Sequence, residues 1–309
     1  MKKTFKIGLG LFSLLLCSVV STYAQSRPVW VVGHRCNSKI TIAEALKDGA
    51  NGVEMDVSTN GTYKGSHWCV DHDKCWSPSR CKGEQNNTWT LKDYLQLPEL
   101  KNSNFRLLWV DCKDEKYLKE LVEYVHKYIP ADADYDICYS IYKLETVFDI
   151  KTGSDKLLAW LRDNLRKNEG ISFGYERRHD AIQYAFDITG FPYKKHFFQD
   201  GNFNSYQIIK KNSRWRLSLK EAGIRKSQDK FCSRVGAWTA LNGNHGNILL
   251  DSAYAGFETG CDVICIECRK TVKDFFLASP DALKDCISKF VSQSSTLHIA
   301  DKKDKFYPD

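Results

Sequence analysis

The chain has 309 residues, a formal charge of +7 and twelve cysteines. A mild cationic surplus with no concentrated Lys/Arg run does not favour nucleic acid as a partner, and suits an anionic surface or a phosphate-bearing substrate. The length accommodates one large domain or two small ones.

The first residues read as an address. Lys2, Lys3 and Lys6 precede an apolar stretch over 7–20, followed by Thr22-Tyr23-Ala24-Gln25. This is the layout of a secretory signal peptide with cleavage after Ala24. The run is short for a membrane span of roughly 20 residues, and Leu16 before Cys17 is too large for a lipoprotein signal. A signal peptide over 1–24 and one domain over 25–309 are expected, giving a secreted, monomeric protein without a transmembrane segment. Eleven cysteines remain after Cys17, and in an oxidising compartment most should form disulfides. Asn60-Gly61-Thr62 and Asn86-Asn87-Thr88 are glycosylation sequons, meaningful only in a eukaryotic secretory pathway. A zinc site at Cys261, Cys265 and Cys268 is disfavoured, because no second paired cluster accompanies them.

Short apolar runs then alternate with helix-period segments. Strands are predicted at 29–34, 52–57, 107–113, 136–141, 172–175, 196–199, 235–240 and 263–268. Helices are predicted at 40–47, 115–128, 154–167, 178–186, 217–223 and 280–291. In 115–128, Leu118, Leu121, Val122 and Val125 share one face of an amphipathic helix. Eight strands with intervening helices indicate an α/β fold, a single (β/α)8 TIM barrel, with an open doubly wound sheet as the alternative. Between Val57 and Leu107 the rhythm breaks into a long stretch rich in Gly, Asn, Ser, Lys and Cys. Connections of this length inside a domain are usually functional. This one leaves the C-terminal end of the second strand, where barrel enzymes keep their chemistry.

The most informative segment is Gly52-Val53-Glu54-Met55-Asp56-Val57. Side chains alternate along a strand, so Glu54 and Asp56 share a face. In a barrel lumen such a pair loses hydration and self-repels, at several kcal/mol per uncompensated ion. On an edge strand the same pair would simply face solvent. The third strand, Leu107-Leu108-Trp109-Val110-Asp111-Cys112-Lys113, also ends in a carboxylate, with Asp111 and Lys113 on one face. Glu54, Asp56 and Asp111 on adjacent strand ends describe an oxygen-ligand site for a hard cation, Mg²⁺ by preference. Lys113 either contacts a substrate phosphate or balances the acidic cluster. The first strand ends in Gly33-His34, placed for acid–base work or for a structural hydrogen bond. The long connection supplies Asp71-His72-Asp73, and His67 competes with His72 for the role of second histidine.

In their order, Arg27-Pro28-Val29-Trp30, Gly33-His34, Gly49-Ala50-Asn51-Gly52-Val53-Glu54-Met55-Asp56, Trp68, Asp71-His72-Asp73 and Trp109-Val110-Asp111-Cys112-Lys113 resemble the sphingomyelinase D/phospholipase D toxin family of sicariid spiders and corynebacteria. That family is related to the glycerophosphodiester phosphodiesterases. The resemblance covers the first 115 residues and recurs at Ala237-Trp238-Thr239 and the last strand. It implies catalytic roles for His34 and His72, Mg²⁺ ligation by Glu54, Asp56 and Asp111, a phosphate contact from Lys113, and Trp238 lining the headgroup cleft. It also implies a Cys75–Cys81 disulfide that stiffens the loop after strand two. In the family, one histidine attacks phosphorus or assists attack and the other protonates the leaving choline or ethanolamine. The lipid's own hydroxyl often closes a cyclic phosphate. A tryptophan facing a quaternary ammonium fits the choline half of this chemistry.

The chain also departs from the pattern. Asp73-Lys74-Cys75 follows His72 where the spider enzymes carry Gly-x-Pro-Cys. Gly236 stands where they have a tyrosine two residues before the cleft tryptophan. The family's C-terminal plug is only faintly echoed by Ala300-Asp301-Lys302-Lys303-Asp304 and Tyr307-Pro308, so the closing of the barrel floor is open. Three other functions compete. A glycerophosphodiester phosphodiesterase usually has a further glutamate soon after the first histidine, and here no carboxylate follows His34 until Glu44. A catalytically silent secreted binding protein would have lost a histidine or a carboxylate, and all five are present. Glycoside hydrolysis is poorly served by Glu54 and Asp56, which sit side by side instead of facing each other about 5–5.5 Å apart across a bond.

Overall fold

The computed structural model describes residues 26–59, 68–71, 90–174, 176–201, 210–228, 231–240, 259–267, 284, 287–288 and 296–308. Eight parallel strands form the barrel wall: β1 (Arg27–His34), β2 (Gly52–Thr59), β4 (Leu107–Cys112), β5 (Asp136–Ile141), β8 (Glu169–Phe173), β9 (His196–Gly201), β10 (Arg234–Ala240) and β11 (Val263–Glu267). Each pairs in parallel with its neighbour, and Val32↔Gly52 with Gly33↔Val53 joins β1 to β2. That last pairing closes the ring and excludes the open sheet. Four short strands complete the set: β3 (Trp68–Val70), antiparallel to β2; β6 (Phe148–Asp149) paired with β7 (Ser154–Asp155); and β12 (Leu297–Ile299) beside the start of β1. The described helices are α1 (Lys39–Lys47), α2 (Leu91–Leu95), α3 (Leu118–Tyr128), α4 (Leu158–Asn164), α5 (His179–Thr189) and α6 (Arg214–Ser227).

Alternation along each strand sorts the interior into two cores. Val31, Val53, Met55, Leu108, Val110, Ile137, Tyr139, Ile171 and Phe198 point outward under the helices. Trp30, Val32, Leu107, Trp109, Cys138, Phe197, Val263 and Cys265 point into the lumen. The chain's end fills the floor of that lumen. Phe306 stacks edge-on against Trp30 at 5.2 Å and Phe197 at 5.3 Å, and Ala300 and Tyr307 join the same cluster. Asn51 ties the tail down, its side chain donating to the Ala300 carbonyl (3.0 Å) and accepting from Val31 N–H (2.9 Å). The floor is therefore closed by aromatic packing although the sequence there barely echoes the family's plug.

Several expected boundaries move for local reasons. The fifth wall strand begins at Glu169, three residues before the predicted 172, because Glu169 and Gly170 carry little strand signal. Gly170 is required where it stands, since a Cβ there would lie 2.3 Å from the Lys195 carbonyl and 2.4 Å from the Tyr307 ring. The predicted helix 154–167 shrinks to α4 because Ser154–Asp155 pairs with Phe148–Asp149, and Asp155 then caps the Leu158 N–H at 2.8 Å. Residues 115–117 form a 3-10 turn ahead of α3, whose Leu118, Leu121, Val122 and Val125 are buried as expected. The predicted helix 280–291 and the pair Cys75 and Cys81 lie almost wholly or wholly outside the described residues, as does the 1–24 leader.

The cysteine expectation is corrected. Cys36, Cys112, Cys138, Cys232, Cys261 and Cys265 are all buried thiols outside any disulfide, so at least half of the twelve cysteines are not bridged. They act as small apolar side chains in packed layers, which needs no bridge. Cys69 on β3 is disulfide-bonded. Cys261 packs in the outer core and Cys265 in the lumen, so the two cannot share a metal. Among the described residues, no helix is long and apolar enough to cross a membrane.

Candidate active site

The lumen changes character at the C-terminal ends of the strands. Asp56 on β2 is in register with Asp111 on β4, and Glu54 lies one lumen position below Asp56. Ligand oxygens of Glu54, Asp56 and Asp111 all lie within 4.8 Å of one another. Glu54 and Asp56 are almost fully buried. Lys113 answers part of this charge, its Nζ lying 2.7 Å from Asp56 Oδ1 and 2.5 Å from Asp111 Oδ2. The lysine stays firmly protonated, because the attraction of Asp111, Asp56 and Glu54 outweighs burial. One cation against three carboxylates leaves the cluster short of positive charge. Burial, then Asp56 and Asp111, hold the Glu54 carboxyl well above the usual carboxylate range. An all-oxygen set with uncompensated charge fits a hard divalent cation.

The turn after β1 braces the cluster. Arg35 takes a left-handed conformation (φ 52°), which most side chains avoid. This aims its N–H at Glu54 Oε2 (2.6 Å). Asn37 then locks Asp56 at both ends: its Nδ2 donates to Asp56 Oδ2 (2.8 Å) and its Oδ1 accepts from the Asp56 N–H (2.9 Å). The turn is held from behind by Tyr94 of α2, whose hydroxyl donates to the Cys36 carbonyl at 2.5 Å. A capping box between Ser38 and Thr41 starts α1 immediately afterwards. His34, the last residue of β1, is partly exposed at the mouth with Nε2 3.9 Å from Glu54 Oε2.

Of the sequence-predicted residues, Glu54, Asp56, Asp111, Lys113 and His34 meet in one place. Trp238 is half-buried toward the mouth end of β10, next to Gly201, and packs on the lumen cluster. His72 and His67 lie outside the described residues. Asp71 is described and directly follows Val70, the last residue of β3, which pairs with Val57 next to Asp56. Gly236 leaves no room for the tyrosine of the spider pattern, since a Cβ there would sit 2.5 Å from the Phe197 ring and 2.9 Å from Val263.

Sequence reasoning missed the braces and the opposite wall. Gln199 donates from Nε2 to Ser140 Oγ (2.8 Å) and Ser172 Oγ (2.9 Å), a buried polar trio with Ser140 in register with Asp111. Beside it Arg177 grips Asp200 through two bonds of 2.7 and 2.6 Å. Lumen alternation applied to 136–141 and 196–201 would have flagged Ser140 and Gln199. Nothing local marks Asn37.

Comparison with known proteins places the chain in a group. The family model described as Dermonecrotic toxin SPH matches residues 24–252. A protein named Sphingomyelinase D from Trichophyton rubrum is 25% identical over 187 residues, covering 58% of this chain and 52% of that protein. This chain thus spans about half the length of that relative. A second Sphingomyelinase D, from Aspergillus flavus, is 21% identical over 95% of this chain and 96% of its own. Among solved structures, a Ca²⁺-dependent phosphatidylinositol-specific phospholipase C from Streptomyces antibioticus matches with a TM-score of 0.48 and 14% identity, over 79% of this chain and 94% of that one. With a model match running through most of the chain, this protein belongs to the dermonecrotic toxin SPH family.

Proposed function

We propose that this protein is a secreted, Mg²⁺-dependent phospholipase D that acts on sphingomyelin, ceramide phosphoethanolamine or lysophospholipids. The observation that carries the reading is the buried Glu54–Asp56–Asp111 cluster, three carboxylates answered by one lysine, with His34 beside it at the barrel mouth. The relatives named Sphingomyelinase D support the substrate class.

Glu54, Asp56 and Asp111 would hold the cation, which would supply charge stabilisation to a phosphoryl group. Lys113, already drawn to this point by two carboxylates, presents a second positive group to the phosphate. His34 Nε2 and the ring of His72, directly after Asp71, move the protons. One takes the proton of the lipid hydroxyl as its oxygen bonds to phosphorus. The other gives a proton to the choline or ethanolamine oxygen as the P–O bond to the headgroup breaks. The products are a cyclic phosphate and the free alcohol. The Trp238 ring, half-buried beside the mouth, offers its face to a quaternary ammonium.

A glycerophosphodiester phosphodiesterase reading is weaker, because among the described residues the acidic cluster has three members and Glu44 is not one of them. Headgroup release should be measured from sphingomyelin, lysophosphatidylcholine and glycerophosphocholine, with phosphorus NMR of the products. Release from the two lipids, lost in chelator and restored by Mg²⁺, is expected. Turnover of glycerophosphocholine alone, or full activity in chelator, overturns the proposal.

A further inference from the structure

The whole chain is only mildly basic, but one turn on the rim is not. Residues 210–216 read Lys-Lys-Asn-Ser-Arg-Trp-Arg, four cations in seven residues, too brief and interrupted to register as a run. The segment is ordered by its own hydrogen bonds. Ser213 N–H bonds the Lys210 carbonyl (3.0 Å), and Ser213 Oγ accepts from Arg216 N–H (3.2 Å) to cap α6. It also extends beyond the start of α5. His179 opens α5 and its Nδ1 lies 3.5 Å from Glu221, seven residues into α6. At 1.5 Å per residue, the start of α6 therefore reaches roughly 10 Å further out than the start of α5.

Lys210, Lys211 and Arg214 are exposed, and among the described residues no carboxylate pairs with them. Arg177 and Arg225 nearby are each neutralised, by Asp200 and by Asp180 and Glu221. Cations at the positive end of a helix cost stability, so folding does not account for them. Leu217 follows, 51% exposed. Ile40 and Tyr142, at the mouth-side ends of α1 and β5, are exposed as well, with Lys143 over the Tyr142 ring at 5.2 Å. Trp215 is not available for base stacking: Arg214 lies over its ring at 4.3 Å and Arg177 at 5.7 Å, and its Nε1 is buried. Cations interleaved with exposed apolar side chains match a headgroup layer, where the charge meets lipid phosphates and the apolar groups sit beneath them.

We propose that residues 210–217, with Ile40 and Tyr142 of the same rim, form a docking surface for anionic phospholipid bilayers that holds the barrel mouth against the membrane. The choice of partner rests on the phospholipid reading above, and the test separates the two. Full-length protein is sedimented with vesicles of phosphatidylcholine, alone or with about one-third phosphatidylserine, at about 0.1 M and about 0.5 M salt. The wild type should favour the anionic vesicles and lose most of that preference at high salt. K210A/K211A/R214A should partition more than tenfold more weakly, at roughly fivefold per cation, while its turnover of monomeric lysophosphatidylcholine is unchanged. Leu217→Asp should weaken vesicle binding with the salt dependence retained. Equal partitioning of wild type and triple variant, or tighter wild-type binding to a single-stranded oligonucleotide than to the vesicles, overturns the docking surface. Vesicle binding without headgroup release from any phospholipid would overturn the function and leave the surface standing.

Discussion

The upper and lower halves of the same lumen are built from the same alternating strand positions, yet they do opposite things. At the floor, Trp30, Phe197, Phe306 and Tyr307 close the barrel with rings in edge-to-face contact. Two lumen positions above Trp30 on β1 stands His34, and on β2 Glu54 and Asp56 crowd together. The floor gains stability from burial. The mouth gives stability up, because Glu54 and Asp56 are buried charges only partly offset by Lys113, Asn37 and the Arg35 N–H. Strand position thus fixes where a side chain points, and distance along the strand decides whether it packs or reacts.

The sharpest way to break this division is to cross it by mutation. His34→Ala should lower headgroup release by about 10²–10⁴-fold, the usual worth of a positioned proton-transfer group, with thermal unfolding nearly unmoved. Activity within a factor of ten of wild type would remove His34 from the chemistry. Phe306→Ala should do the reverse. It leaves a cavity between Trp30 and Phe197, costing about 3–5 kcal/mol of stability, while turnover per folded molecule stays the same. Chemical denaturation read alongside activity distinguishes the two. If Phe306→Ala lost activity without losing stability, the floor would be part of the site.

A finer probe lies between the halves. Asn37 is buried and holds both ends of Asp56. Asn37→Ala should weaken metal binding by about 10–100-fold, as loss of a ligand-orienting partner does. The Mg²⁺ concentration for half-maximal activity should rise accordingly, with the rate at saturating Mg²⁺ largely kept. A fall in saturated rate with unchanged Mg²⁺ demand would mean that Asn37 acts elsewhere.

Much of this was legible from residue order alone. Seven of the eight wall strands begin within two residues of expectation, because buried parallel strands are continuous apolar runs. The carboxylates declared themselves by alternation within those runs. Asn37 did not, since its role depends on a turn in which Arg35 adopts a left-handed backbone, and no side-chain pattern encodes that. The floor was hidden for a related reason. Phe306 and Tyr307 meet Trp30 and Cys138 across more than 160 residues, and such contacts leave no local periodicity. The buried thiols misled because cysteine count speaks of compartment, whereas Cys138 and Cys265 sit in the lumen as ordinary small side chains.

The smallest expected effect tests the floor through pH. Asp136, at the base of β5, accepts the Phe306 N–H at 3.0 Å, and burial pushes its carboxyl up to about 6. An unfolded aspartate titrates near 3.9. Between those values the folded chain holds the proton more tightly, so this contribution is present at low pH and lost as pH rises from about 4 through about 6. Its full size is about 2–3 kcal/mol. His196 runs the other way. Buried with Nδ1 against the Phe231 carbonyl at 2.9 Å, it is lowered to about 4, so its contribution is lost as pH falls from about 6.5 through about 4. The two slopes oppose each other in the wild type. Asp136→Asn removes one of them. The stability of wild type minus that of D136N should therefore fall by about 2 kcal/mol between pH 4 and pH 6.5, read by urea denaturation at each pH. A difference that stays constant would mean that the carboxylate is ionised throughout, held by the Phe306 N–H and by Arg234 and Lys305 nearby. The floor would then be anchored by charge as well as by aromatic packing, and the contrast with the mouth would narrow.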